Sequence, residues 1–302
     1  MPSVAQLTAG LRERLPRLKD INGNTRAEFL TLFDAIAHRD GEVTKNYERF
    51  FEWLALLRQG QKDPFCKVVR FDLDQNLVTA AGELAWSIKL PIWEILRSRH
   101  QGAPYQPAYL AKLGDFLPPR GRLKVFTLNY DLCVEDACTG QEINVITGFR
   151  PGGGTWTPSR FRTHTNGINL YKLHGSLNWT PDGNLSNPRL VEHYPPQWDR
   201  EPELLLGPGS KLQYDDPFVT LYSEFHKALG RARVCVAVGY SFRDSHIKEP
   251  LREASLRGGL TVIDVNPSAL ETGFERYKKI SLGAREAFES GAILDAIRSV
   301  DS

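Results

Sequence analysis

Residues 123–131 read LKVFTLNYD, a short apolar run that ends in polar side chains. Its β-branched and aromatic residues predict a buried strand over 123–128, and the segment after it predicts a helix over 130–138. The pattern continues with strands predicted at 168–173, 234–238 and 260–265, a weaker strand at 203–206, and helices at 214–230, 245–256 and 284–298. Continuous apolar strands that alternate with helices are typical of a parallel sheet covered on both faces. The sequence therefore predicts an α/β fold with a Rossmann-like, doubly wound parallel sheet.

The chain before residue 119 has little strand character. Apolar residues three to four positions apart predict helices over 4–19, 25–38, 43–58, 75–96 and 105–117, with Pro16 weakening the last turn of the first helix. Aromatic stripes within these helices are typical of core packing rather than of a cofactor site. We therefore predict that residues 21–119 form a large helical insertion, and that residues 1–20 and 120–302 together form the Rossmann-like domain.

The composition excludes several classes of protein. Hydrophobic residues make up 41% and charged residues 25% of the 302 residues, which are ordinary values for a globular protein. The net charge is only +2, so we expect no direct binding of nucleic acid. The sequence shows neither a membrane span nor a signal-peptide pattern, which favours the cytoplasm. The cysteines form no CxxC pair, so we predict reduced thiols and no metal site; they are Cys66, Cys133, Cys138 and Cys235.

Polar side chains directly after the predicted strands are the candidate site residues, because ligands of parallel α/β sheets bind beyond the carboxyl ends of the strands. Thr127, Asn129 and Asp131 follow the first strand. On residue type alone, capping of the next helix explains Asp131 better than ligand binding does.

The later strand ends carry further candidates. The second strand ends at His174, before a glycine that gives the imidazole space, which suits a general base although such a histidine is more often structural. Gly239 and Ser241 after the third strand suit a phosphate or ribose contact, and the competing interpretation is a turn that caps the following helix. Asn266 after the last strand fits a ribose hydroxyl and a cap equally well.

The order of these strand ends resembles the sirtuin superfamily. Its members share a TxNxD segment, then LHG, then GxS, then an asparagine after the last strand. The matching segments here are TLNYD at 127–131, KLHGSLNW at 172–179, GYSFRDSHI at 239–247 and Asn266. The resemblance covers about half the chain, from Lys124 to Asn266, and looks closest to the bacterial NAD hydrolases of anti-phage defence.

This resemblance implies NAD as the substrate, with Asn129 at the nicotinamide ribose and His174 as the catalytic base. The residues implied to bind NAD are Thr127, Asp131, Gly239, Ser241 and Asn266. The implied reaction cleaves the nicotinamide N-glycosidic bond to release ADP-ribose or a cyclic product and so depletes NAD. A protein activator or sensor partner and a homo-oligomer are also implied. The alternatives are a non-catalytic module that binds NAD or ADP-ribose, and a protein deacylase or ADP-ribosyltransferase.

Two departures from the sirtuin pattern affect these expectations. The four-cysteine zinc module of the deacylases is missing, which disfavours deacylation. Family members also open with a strand and a GAGxS phosphate loop followed by SGxP, whereas this sequence opens at Met1-Pro2 and continues into a helix. We therefore expect that the chain as given lacks the first strand and the phosphate-binding loop.

Overall fold

The computed structural model describes residues 4–19, 24–62, 75–102, 108–151, 154–182, 189–193, 204, 215–268 and 273–301. Cys66 and the Met1-Pro2 start lie outside these ranges. Of the predicted strand at 203–206 only Leu204 is described, and it forms an isolated bridge with Gly175. No helix within the described ranges is both long and apolar enough to cross a membrane.

The described strands form two parallel sheets and one antiparallel hairpin. The strands are β1 (Arg122–Thr127), β2 (Val145–Ile146), β3 (Gly167–Lys172), β4 (Trp179–Asp182), β5 (Arg189–Glu192), β6 (Val234–Val238), β7 (Thr261–Val265) and β8 (Tyr277–Ile280). One parallel sheet has the order β1-β3-β2 and the other the order β6-β7-β8, while β4 pairs with β5. The central strands β3 and β7 are buried at every position. This arrangement confirms the predicted α/β class with parallel strands.

Helices cover both faces of the second sheet. The helices that follow β1 along the chain are α6 (Cys133–Thr139), α7 (Phe218–Leu229), α8 (Ser245–Arg257), α9 (Ala284–Glu289) and α10 (Ala292–Asp301). Leu229 of α7 and Leu251 of α8 belong to the same apolar core as Val262 of β7. On the other face, Ile293 of α10 packs in a core with Val265. The sheet is therefore enclosed as a doubly wound fold requires.

The N-terminal half is helical, as predicted. It contains α1 (Val4–Arg14), α2 (Glu28–Arg39), α3 (Tyr47–Lys62), α4 (Gln75–Ser87), α5 (Lys89–Gly102) and a 3-10 helix over Ala108–Phe116. The first helix ends at Arg14, and Pro16 lies in the 3-10 turn that follows. Leu11 of α1 lies in one buried core with Phe33 and Leu54 of the helical segment. The assignment of residues 1–20 to the Rossmann-like domain stays a prediction.

The structure differs from the predicted elements near β1 and at four short strands. The helix predicted from residue 130 begins at Cys133, because the Tyr130 carbonyl accepts a hydrogen bond from the backbone N–H of Leu177 at 2.9 Å. This tertiary bond keeps the chain after β1 out of the helix. The strands β2, β4, β5 and β8 were not predicted. β2 has only two residues, and β8 is a polar YKKI segment without a strand pattern. β4 and β5 have only four residues each.

Candidate functional site

A large crevice separates the two parallel sheets. One wall is β1 and the other is β6, and each of these strands is an edge of its own sheet in the described part of the chain. The crevice has a volume of about 1570 Å³, and side chains of α7, α8 and α10 contribute to its lining. Small-ligand pockets are typically about 300 to 1000 Å³. The crevice therefore has room for a dinucleotide together with further polypeptide.

The carboxyl end of β1 brings Thr127 and Asn129 to the crevice, which both residues line. Thr127 Oγ1 accepts a hydrogen bond from the Asn129 backbone N–H at 3.1 Å, which holds the turn after the strand. Thr127 is also the parallel partner of Lys172 at the end of β3. Asn129 and His174 each lie two residues beyond the end of their strand. Because β1 and β3 are adjacent and parallel, both residues lie at the carboxyl ends of the strands of one sheet.

Asp131 uses its two carboxylate oxygens differently. Oδ1 accepts a hydrogen bond from the Cys133 N–H at 2.9 Å, at the first turn of α6. Oδ2 is buried and has no hydrogen-bond partner among the described residues, and Asp131 lines the crevice with only 6% of its surface exposed. An unsatisfied buried acceptor costs about 1 to 3 kcal/mol. Capping therefore explains one oxygen, and a hydrogen-bond donor on a ligand would satisfy the other.

A buried ion pair anchors the segment that contains Asn129 and Asp131. Lys172 is fully buried, and its Nζ donates to Glu135 Oε1 at 2.8 Å and to the Asp131 backbone carbonyl at 2.5 Å. Burial raises the pKa of Glu135, and the Lys172 ammonium acts in the opposite direction. The pair thus ties α6 and the turn after β1 to the end of β3.

Three side chains meet beside the strand end at His174. The Nε2 atoms of His174 and His246 lie 3.3 Å apart, and the centres of the two rings lie 5.5 Å apart. Ligand atoms of His174, His246 and Asp244 all lie within 4.8 Å of one another. We refer to these three residues as the histidine cluster. His174 is 3% exposed and is outside the described lining of the crevice, although Leu173, directly before it, is part of that lining.

The start of α8 supplies two members of the histidine cluster. Asp244 occupies the N-cap position of this helix, but its side chain makes no capping hydrogen bond. The hydroxyl of Tyr240 donates to the Asp244 backbone carbonyl at 3.2 Å, and that of Tyr222 donates to the His246 carbonyl. Both tyrosines therefore hold the backbone at the start of α8.

Two tyrosines lie close enough to Asp244 for its charge to affect their pKa values. Burial raises the pKa of Tyr130 well above its ordinary value, with a smaller contribution from the charge of Asp244. Burial and then Asp244 likewise raise the pKa of Tyr240. Asp244 itself is half-buried, so its charge is only partly screened and favours a positive charge beside it.

The predicted contacts on the second sheet lie at the ends of β6 and β7. Gly239 lines the crevice with a φ of 63°, a conformation that favours glycine, and Ser241 is exposed in the same turn. Asn266 Nδ2 donates to the Tyr240 carbonyl at 3.3 Å, and its Oδ1 accepts from the Ser268 N–H at 3.1 Å. The Asn266 side chain thus holds two turns together.

The family comparison follows the region that builds this site. Residues 123–269 match a SIR2-like domain. The match begins in β1, ends just after β7 and supports the sirtuin-like superfamily for this part of the chain. None of the curated proteins compared with the chain matches it.

Solved Sir2 structures resemble the chain at low identity. A Sir2 homologue in complex with NAD is 17% identical, with 72% of this chain and 75% of that chain covered and a TM-score of 0.43. A Sir2 homologue mutant in complex with 2'-O-acetyl ADP ribose is 18% identical, with 73% and 78% covered and a TM-score of 0.42. Sir2Tm bound to a propionylated peptide is 12% identical, with 71% and 82% covered and a TM-score of 0.43.

The structure places the predicted residues of the SIR2-like domain in two groups. The first group lines the crevice and consists of Thr127, Asn129, Asp131 and Gly239. The second group is outside the described lining: His174 lies in the histidine cluster, Ser241 is exposed, and the Asn266 side chain hydrogen-bonds within its own turn. Sequence reasoning missed Lys172, Glu135 and His246. The closeness of Asp244 and His246 along the chain, at a helix start, was the only sequence signal for the cluster.

Proposed function

We propose that this protein hydrolyses NAD at the nicotinamide N-glycosidic bond, with Asn129 and His174 at the reaction centre. A SIR2-like domain implies use of NAD in general, and the match over residues 123–269 supports that broader assignment. The more specific proposal, hydrolysis with Asn129 and His174 at the reaction centre, rests on the register of β1 with β3. This register brings both positions to the same edge of the sheet, at the carboxyl ends of the strands. Ligands of parallel sheets bind at this edge.

The reaction requires the protein to orient NAD and to supply one general base. Water attacks the anomeric carbon of the nicotinamide ribose and forms a C–O bond, while the electrons of the C–N bond leave with nicotinamide. The imidazole of His174 accepts the proton of the water, and the products are nicotinamide and ADP-ribose. The transition state resembles an oxocarbenium ion, for which a positioned base contributes roughly 10² to 10⁴-fold.

Other residues would orient the substrate. Asp131 Oδ2, buried and without a described partner, would accept a hydrogen bond from the carboxamide N–H of nicotinamide. The Asn129 amide would hold a ribose hydroxyl, in an orientation that Thr127 supports through the backbone. Gly239 and Ser241 would contact the phosphates, and Asn266 would keep their turn in place.

The crevice between the two sheets has space for a further strand. Among the described residues, its walls β1 and β6 are edge strands of separate parallel sheets, and an edge strand presents unpaired N–H and C=O groups to a further strand. A glycine-rich strand and loop between them would join the two sheets and bring backbone donors to the pyrophosphate.

The experiment measures nicotinamide release from NAD by the protein and its variants. We expect Asn129→Ala and His174→Ala to lower the rate at least about 100-fold, while His164→Ala, at an exposed histidine elsewhere, has no effect. Full activity in both site variants rejects the assignment. Calorimetry with NAD and ADP-ribose tests the second candidate function, a non-catalytic regulatory module. Tight binding without turnover favours that module.

The resemblance to bacterial NAD hydrolases of anti-phage defence implies a role for the protein in cells. We infer a cytoplasmic defence effector that depletes NAD after a protein activator or sensor, or assembly into a homo-oligomer, releases its activity. Cellular NAD should fall after phage infection in bacteria that express the protein, and it should stay constant with the His174→Ala variant. An equal fall in both strains contradicts the defence role.

A further inference from the structure

We propose that the histidine cluster of His174, Asp244 and His246 is a binding site for a divalent transition metal ion of the zinc class. Metal bound there would also block His174 as a base. This second statement rests on the proposed function, whereas the first does not.

The spacing of the two imidazoles fits a shared ion. Two nitrogen ligands on one tetrahedral zinc ion, at Zn–N distances of about 2.0 to 2.1 Å, lie about 3.3 to 3.4 Å apart. The Nε2 atoms of His174 and His246 are 3.3 Å apart, and the ring centres are 5.5 Å apart, so the two nitrogens face each other. That separation is longer than the roughly 2.9 to 3.0 Å most common for hydrogen bonds of N–H groups.

Asp244 adds the charge that a cation needs. Its carboxylate lies within 4.8 Å of both ring nitrogens and makes no cap hydrogen bond to α8. Asp244 is half-buried, so its charge is screened less by water and salt than that of a fully exposed carboxylate. An ion there gains more electrostatic stabilisation than one at the surface.

The ligand set indicates which ions bind. Two imidazoles and one carboxylate suit zinc, copper or nickel, whereas magnesium and calcium prefer sites made of oxygen atoms. Three protein ligands leave one coordination position for water, as in zinc sites that are open to solvent or substrate. The competing arrangement is one proton shared between the two imidazole nitrogens.

The ion would act on the proposed reaction through the His174 lone pair. A metal bound to Nε2 occupies the electrons that would accept a proton from water. Zinc would then inhibit nicotinamide release reversibly, and a chelator would restore it. The site would make turnover depend on free transition-metal concentration.

Equilibrium dialysis of the full chain against Zn²⁺ tests binding directly. We expect about one ion per chain for the wild type, and a dissociation constant roughly 100-fold or more higher for His246→Ala and for Asp244→Asn. His226→Ala is the matched control, since this exposed histidine packs on Tyr222, as His246 does, and lies outside the cluster. Circular dichroism compares the folding of all variants. Binding of Co²⁺ adds a visible spectrum that reports tetrahedral geometry.

The possible results distinguish metal binding at the histidine cluster from inhibition of the proposed reaction. Absence of Zn²⁺ binding, or equal binding by wild type and both cluster variants, overturns the metal site and favours the shared proton. Zinc binding without NAD turnover under any condition keeps the site and rejects the proposed function. Turnover that is unchanged at saturating zinc keeps the site and overturns the inhibition.

Discussion

Replacing Lys172 with methionine should destabilise the SIR2-like domain, because it breaks a fully buried ion pair. The Lys172 side chain is 0% exposed and that of Glu135 is 9% exposed, with 2.8 Å between Nζ and Oε1. Removing one partner of such a pair typically costs about 3 to 5 kcal/mol. Within that loss, about 1 to 3 kcal/mol comes from the Asp131 carbonyl, which loses its donor.

The loss should depend on pH, with a sign that follows from Glu135. Its folded-state pKa is already raised by burial, and removal of the opposing ammonium raises it further. An acid whose pKa is raised on folding contributes stability at low pH, which is lost as the pH rises through the folded value. Lys172→Met should therefore be more destabilised at pH 8 than at pH 5.5, where the carboxyl group is closer to neutral.

Urea unfolding at both pH values measures the effect. Lys124→Met is the matched control, because this lysine lies on the neighbouring strand β1 with 38% of its side chain exposed and should cost less than about 1 kcal/mol. The double variant Lys172→Met with Glu135→Leu should regain about 2 kcal/mol over the single one, since only the carbonyl stays unpaired. A single-variant loss below about 1 kcal/mol at both pH values, or a double variant no more stable, would refute the reasoning.

Two further predictions concern the hairpin and the turn beside it. Burial raises the pKa of Glu192 in spite of hydrogen bonds from Thr147 and Trp179. Ionisation of Glu192 therefore lowers the stability of the folded protein as the pH rises above the ordinary glutamate range. Glu192→Gln should flatten the decline in thermal stability between pH 5.5 and 8. Parallel curves of melting temperature against pH for the variant and the wild type would contradict this. Gly148 has a φ of 89°, and an added Cβ would lie 2.4 Å from the Trp156 ring. Gly148→Ala should cost about 2 to 4 kcal/mol in urea unfolding, and a loss no larger than that of Gly41→Ala, which has open space, would show that the turn adapts.

Local patterns determined the elements of the fold. The strand predicted at 234–238 is β6, Val234–Val238, and the one predicted at 260–265 is β7, Thr261–Val265. Continuous apolar runs report burial on both faces, and that alone selects parallel strands under helices. The same reasoning placed Asn129 and His174 at one sheet edge, because the ends of parallel strands share an edge.

Only the tertiary structure decided which side chains meet. His174 and His246 are 72 positions apart, and Lys172 and Glu135 are 37 apart, so no local periodicity connects them. Folding brings the start of α8 to the end of β3, and it buries Lys172 where a carboxylate and a carbonyl must pair with it. The crevice between β1 and β6 likewise depends on the packing of two separate sheets, since its walls lie about a hundred residues apart along the chain.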